Sequence, residues 1–162
     1  MARDTITRDI AATPLDRSPS HLLHRAGQCA GDIFIVEMGE EDLTPRQFTV
    51  LAAVACQEGL NQTQLVEQTG IDRSTLADIV RRMLKKGLLQ RRRRKEDARA
   101  YAVKLTDEGW RLLKAADPVV RRVDEMILGV LPQPQRDRFL QDLATIVAAL
   151  GQLAQPSRST KT

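Results

Sequence analysis

Between Ile71 and Leu105 the chain carries twelve Lys or Arg against four Asp or Glu, a local net charge of +8. The whole chain is only +4, which leaves +4 minus +8, or −4, for everything outside that stretch. The cations fall in two groups: Arg73, Arg81, Arg82, Lys85 and Lys86, then a run from Arg91 to Lys95 with Arg99 and Lys104 beyond it. Positive charge concentrated on one short unit of a mildly acidic protein is the footprint of a polyanion-binding surface, with nucleic acid the leading partner. Aromatic side chains are scarce, at one Trp, one Tyr and three Phe. That disfavours single-strand binders, which stack successive bases on aromatic platforms, and suits a reader of duplex DNA.

Other chemistry finds little footing. No Ser-His-Asp set, buried carboxylate pair or phosphate loop is visible, so no enzyme is expected and no cofactor is implied. His21 and His24 have an i, i+3 spacing open to zinc, but they are the only two histidines and nothing nearby completes four ligands. Polar-face histidines near a helix start are the simpler reading, and no metal site is expected. Cys29 and Cys56 make no disulfide framework, and each reads as a small buried thiol. A redox role for Cys29 has Arg25, one turn earlier, as its only cationic support. No export signal precedes them, no stretch approaches a membrane span, and a reducing cytoplasm is the natural setting.

The cations need elements to hold them. Leu76, Ile79, Val80, Met83 and Leu84 repeat at i, i+3, i+4, i+7 and i+8. They predict a helix capped by Asp72 and stopped at Gly87, with Ser74, Asp78, Arg81 and Lys85 on its opposite face. Strand-like alternation follows: Tyr101, Val103 and Leu105 point one way and Ala102 and Lys104 the other, with Leu88 to Arg93 as partner and a tip near 94–100. Upstream, Asn61 to Gln64 has capping-box form and opens a short helix that turns at Thr69-Gly70. Thr44-Pro45 opens another, which carries Phe48, Leu51, Ala52 and Ala55.

The first helix is expected from a cap at Ser20 to Met38, with Leu22, Leu23, Ala26, Ala30, Ile33 and Phe34 on one side. Thr106 opens a long helix that Pro118 kinks. After Pro132 and Pro134, a last helix carries Phe139, Leu143, Ile146, Leu150 and Leu153, a heptad-like seam. That seam packs either on the chain's own first helix or on a second copy; the second copy is favoured, because a duplex reader gains from two half-sites. The expected organisation is a flexible arm (1–19), a DNA-binding domain (43–109), dimerisation helices (20–38 and 110–153) and a flexible tail (154–162).

Short helices, a tight glycine turn and a hairpin in this order make a winged helix-turn-helix. Here the sequence resembles the MarR family of bacterial transcription regulators. The carrying residues are Leu43-Thr44-Pro45-Arg46-Gln47-Phe48, Asp72-Arg73-Ser74-Thr75-Leu76, Lys86-Gly87-Leu88-Leu89, Asp97-Ala98-Arg99 and Leu105-Thr106-Asp107-Glu108-Gly109. The resemblance implies a mainly α fold with a small β-hairpin wing, and a homodimer whose recognition helices enter the major groove of double-stranded DNA. Arg73, Ser74, Thr75 and Asp78 then face base edges or nearby phosphates, and Arg81, Arg82 and Lys85 face phosphates. For Asp78 the alternative is an exposed residue balancing Arg81 or Arg82, and for the cations a merely solvated basic face. Arg99 matches the wing-tip arginine that enters the minor groove, with Asp97 holding it; an ordinary hairpin ion pair is the alternative. Arg91 to Lys95 supply long-range attraction; alternation along a strand keeps some of the five off the DNA, and Arg92, Arg94 and Lys95 are the expected contacts.

The family also implies a small-molecule effector, bound between the dimerisation helices and the winged domain. On this chain the implied lining is His21, Arg25, Cys29, Ile33, Phe48, Leu51 and Trp110. The segment from His21 to Phe34 and the helix after it resemble the branch that controls breakdown of aromatic acids, with an aromatic acid or its CoA thioester as effector. Arg25 or Arg46 then meets a carboxylate or phosphate, or remains a surface charge. The expected function is a ligand-released repressor acting on a palindromic operator. The alternatives are a winged-helix protein-interaction module and a redox-responsive regulator acting through Cys29.

Overall fold

The computed structural model describes residues 14–57, 59–93 and 101–154. A short 3-10 turn (Pro14–Arg17) leads into helices α1 (Pro19–Met38), α2 (Pro45–Cys56), α3 (Gln62–Thr69) and α4 (Arg73–Lys85). Strands β1 (Leu89–Arg93) and β2 (Tyr101–Leu105) form an antiparallel hairpin, followed by α5 (Asp107–Gly129) and α6 (Gln133–Ala154). The architecture is the winged helix-turn-helix that the sequence predicts, flanked by long terminal helices.

Most boundaries fall where the capping chemistry places them. Thr44 and Gln47 form a reciprocal capping box at α2, and Asn61 and Gln64 form another at α3. Each box satisfies two backbone donors that a helix start otherwise leaves open. At α1 the cap is Ser18 rather than Ser20, two residues earlier, because Pro19 then occupies the first helical turn, where its missing N–H costs nothing. Gly70, at φ 66°, turns the chain between α3 and α4 in the left-handed region that side chains with a Cβ disfavour. Helix α5 runs on through Pro118. A proline there has no N–H to offer the Lys114 carbonyl.

The core gathers under the winged domain. Val50, Leu51 and Val54 of α2, Leu65 of α3, and Leu76 and Met83 of α4 are fully buried, joined by Leu60, Leu89, Val103 and Leu105 around the hairpin. Burying each such side chain is worth ~1.5–3 kcal/mol. Phe34 and Met38 from the end of α1, and Leu112, Ala116, Val119 and Val123 from α5, tie the long helices to this core. Ala102 is buried as well, although alternation alone put it on the outer face with Lys104.

The terminal helices differ from expectation in one consequential way. Leu22 and Leu23 of α1 are exposed, so its apolar side is covered only toward its C-terminal end. Helix α6 buries none of its residues within its own chain: Phe139, Ile146, Leu150 and Leu153 stand exposed and Leu143 is half-buried. Packing on the chain's own first helix is therefore not what becomes of the seam.

Candidate nucleic-acid interface

Helix α4 presents its polar face because its apolar face is fully occupied: Leu76 and Met83 are buried, with Ile79, Val80 and Leu84 packed beside them. Asp72 caps it, accepting from the Thr75 backbone N–H at 3.0 Å and the Ser74 hydroxyl at 2.9 Å. These bonds, Thr75 first, hold the Asp72 carboxyl down to about 2. A charged carboxylate at this position also complements the helix dipole. Arg73 donates to the Thr63 hydroxyl at 3.0 Å, and the Gln62 side-chain amide donates to the Arg73 carbonyl at 3.4 Å. The starts of α3 and α4 are thus bonded to one another.

Further along the same face, Asp78 gives one carboxylate oxygen to Arg81 and the other to Arg82, the latter at 2.8 Å. The Arg81 hydrogen bond is the largest cause that lowers the Asp78 carboxyl below its usual range. In the DNA-free chain Asp78 thus balances both arginines. Thr75 is half-buried and Lys85 exposed.

The wing is anchored at its base. Leu89 pairs with Leu105 and Arg92 with Ala102, and the Val103 N–H donates to the Leu60 carbonyl at 3.4 Å. Leu89, Ala102 and Val103 are buried, whereas Arg91 and Arg92, which alternation sends to opposite faces of the strand, are both exposed. Arg94, Lys95, Asp97 and Arg99 lie outside the described residues.

Where α4, the wing and α5 meet, backbone approaches backbone. The Leu88 carbonyl accepts from both the Thr106 N–H and the Thr106 hydroxyl, each at 3.1 Å, while that hydroxyl caps α5 through the Gly109 N–H. A Cβ on Gly109 would lie 2.2 Å from the Leu88 oxygen, so only glycine fits there.

Sequence reasoning missed a set of ion pairs that tie the end of α4 and helix α5 to the end of α1 and the turn after it. Lys86, at the end of α4, pairs with Asp42 in the α1–α2 connection. Arg111 is gripped by Glu108 at 2.7 Å and by Glu41 at 2.8 Å, and Arg122 joins Glu37 at 2.9 Å. The Arg111 hydrogen bonds lower both the Glu41 and the Glu108 carboxyls, and those carboxylates, Glu108 first, push the guanidinium pKa up. The acidic run Glu40-Glu41-Asp42 was the available signal, but it reads equally well as a helix terminator.

The seven residues expected to line one effector pocket do not come together as one. Arg25 and Cys29 line an open cavity of about 850 Å³ between α1 and the start of α2, with Arg46 opposite. Phe48 and Trp110 line a second, of about 370 Å³, between α2 and α5, with Ala52, Leu113 and Lys114. Leu51 is fully buried in the core, and Ile33 packs against that core; neither lines these cavities, nor does His21. Leu51 is lost because α2 is enclosed by packing on that side, which helical spacing does not reveal. Cys29 and Cys56 are exposed rather than buried, since each lines one of these open cavities instead of the core.

A recognition helix set by a tight turn, followed by a hairpin and clamped by a long helix, defines a winged helix-turn-helix DNA-binding protein. The chain belongs to the MarR family of transcription regulators, whose family model matches residues 43–101. It is 31% identical to the transcriptional repressor NicR of Pseudomonas putida over 144 residues, spanning 85% of this chain and 91% of NicR. The structure of the PcaV regulator of Streptomyces coelicolor in complex with its natural ligand superposes with a TM-score of 0.77 at 31% identity, covering 87% of this chain and 99% of PcaV. BpsR of Bordetella bronchiseptica, whose DNA binding is regulated by 6-hydroxynicotinic acid, superposes at 0.71 with 28% identity, covering 78% and 96%.

Proposed function

We propose that the protein is a homodimeric repressor that binds a palindromic operator and is released by a small aromatic acid or its CoA thioester. The observation that carries this reading is α6, a helix of 22 residues with a heptad-spaced apolar seam and nothing buried within its own chain. A second copy is the occupant that closes such a seam, and with the exposed apolar residues of α1 it makes an interface of dimerising character. Two copies related by a twofold axis carry two α4 helices, which is what a palindrome requires.

The recognition helix supplies Arg73, Ser74 and Asp78 toward base edges and Arg81, Arg82 and Lys85 toward phosphates, while Arg92, Arg94, Lys95 and Arg99, with Asp97, form the wing contact. For the effector, Arg25 and Arg46 offer cations across one cavity, and Phe48 with Trp110 offers aromatic walls in the other. The effector of BpsR is an aromatic acid of the class these groups suit.

Light scattering coupled to gel filtration, with a gel shift on DNA from upstream of the protein's own gene, tests the core of this reading. A dimer making ~6–10 phosphate contacts loses ~10³–10⁵ in affinity between 50 and 200 mM salt. A monomer, or a flat salt response, refutes it. Thermal shift against aromatic acids and their CoA esters tests the effector, and no stabilisation by any of them removes that part. The exposure of Cys29 beside Arg25 supports a second mode of release, by oxidation. It requires that peroxide abolish DNA binding in the wild type and leave Cys29→Ser unaffected.

A further inference from the structure

Helix α4 carries a carboxylate in the middle of its cationic face. Asp78 is half-exposed, and both of its oxygens are taken, one by Arg81 and one by Arg82. The two guanidiniums are the more exposed partners, at 77% and 68%. Toward a polyanion this arrangement is costly, because two cations are offered as a cluster of net +1 and each phosphate that approaches meets the carboxylate as well. Exposed pairs of this kind are weak and salt-screened, so they yield when something better is within reach. Asp78 has no donor to spare and accepts only. Freeing its arginines leaves a carboxylate in the groove that must find another donor, and the cytosine N4 amino group is the base-edge group that fits it.

We infer that Asp78 determines specificity by withholding Arg81 and Arg82 from the phosphates of arbitrary duplex, and that the operator releases them by giving the carboxylate a base amino donor. This rests on α4 being the DNA-reading helix. It assigns to Asp78 a role opposite to that of its neighbours: Asp78 lowers affinity for every sequence, and lowers it least for the right one. In the free protein Asp78 acts through its two arginines, and on the operator it touches the base itself.

The test uses the full chain and two duplexes: a mixed-sequence 30-mer, and one selected by the wild-type protein from a random pool. Asp78→Asn keeps the shape and removes the charge. It is expected to bind the mixed-sequence duplex roughly tenfold tighter, with a salt slope steeper by about 2 if each protomer of a dimer gains one phosphate contact. Affinity for the selected duplex rises less or falls, so the ratio of the two affinities drops about tenfold. Asp78→Glu, which keeps the carboxylate within reach of both arginines, restores the ratio. In Asp78→Asn/Arg81→Ala/Arg82→Ala the gain on mixed-sequence DNA disappears.

Unchanged affinity and slope on the mixed-sequence duplex overturn the inference while leaving the DNA-reading assignment intact. Equal losses on both duplexes, at an unchanged or a lowered melting temperature, also overturn it, since that is how a merely structural residue behaves. A wild-type protein that holds no duplex at low salt overturns both.

Discussion

Replacing Gly109 by alanine tests the junction through which the reading elements are held. The added Cβ lies 2.2 Å from the Leu88 carbonyl oxygen, 3.2 Å from its carbon and 3.4 Å from Leu105 Cγ. The first two obstacles are backbone and cannot swing aside. Relief to an ordinary 3.4 Å contact requires a displacement of 3.4 − 2.2 = 1.2 Å. A shift of that size along the same direction stretches the 3.1 Å bonds from Thr106 to the Leu88 carbonyl beyond hydrogen-bonding length. Overpacking of this kind costs about 1–3 kcal/mol. Two lost bonds at about 0.5–1.5 kcal/mol each are of the same size and partly the same energy. Against this, alanine in a helix gains about 1 kcal/mol over glycine. The net expectation is a loss of about 1–2 kcal/mol, read as a lower midpoint in urea at constant slope and a melting temperature several degrees down. DNA affinity should fall further than stability does, because the displaced strand carries the wing. A Gly109→Ala protein as stable as wild type, or more so, refutes the reasoning, since propensity would then have outweighed the contact.

Other expectations rest on single features. Ile146→Lys with Leu150→Glu places charge in the α6 seam and should yield monomers by light scattering while leaving the near-native helical signal; a persisting dimer would falsify the seam assignment. Asp72→Ala removes the cap of the recognition helix and should lower the melting temperature at pH 7. The folded-state carboxyl sits at about 2, below its ordinary 3.8, so its contribution is present above pH 3.8 and lost as the pH falls through 2. The difference between wild type and Asp72→Ala should therefore shrink over that interval, and a pH-independent difference removes the cause assigned here. Arg99→Ala should weaken operator binding more than tenfold without changing the oligomeric state; undiminished affinity dismisses the wing-tip assignment.

What the sequence made legible is what is local. The Asn61–Gln64 capping box, the turn at Gly70, the Asp72 cap and the five-residue stripe of α4 each depend on neighbours within a few positions. All appear where periodicity and capping put them. Of the concentrated cations, Arg73, Arg81, Arg82, Lys85, Arg91 and Arg92 stand exposed on α4 and β1, since adjacent cations on short elements have nowhere else to go. Contacts between distant segments were not legible. Nothing in spacing says that Lys86 meets Asp42, that Arg111 reaches Glu41, or that Leu51 faces the core rather than a cavity. The first cap was misplaced by two residues because both serines suit the role, and only the placement of Pro19 separates them. The two thiols depart from what composition suggests: cysteine is usually buried, but Cys29 and Cys56 stand in open cavities between helices.

On the proposed function, the ion pairs that escaped the sequence bear on how an effector would shift DNA binding. The three acids Glu37, Glu41 and Asp42 lie at the end of α1 or just after it. Their bases sit on α5 and at the end of the recognition helix. A ligand seated between α1 and the start of α2 acts on the segment that carries these acids. It changes the spacing of two recognition helices only if it prefers one arrangement of that segment over another. Exposed pairs contribute little individually and weaken with salt, so they make the junction specific in direction rather than stiff. The rigid part of the junction is the Leu88–Thr106–Gly109 contact, where backbone meets backbone. The division follows from chemistry: a packed glycine contact has one geometry, whereas a glutamate–arginine pair tolerates several, and a ligand-responsive reader needs a fixed wing on an adjustable mount.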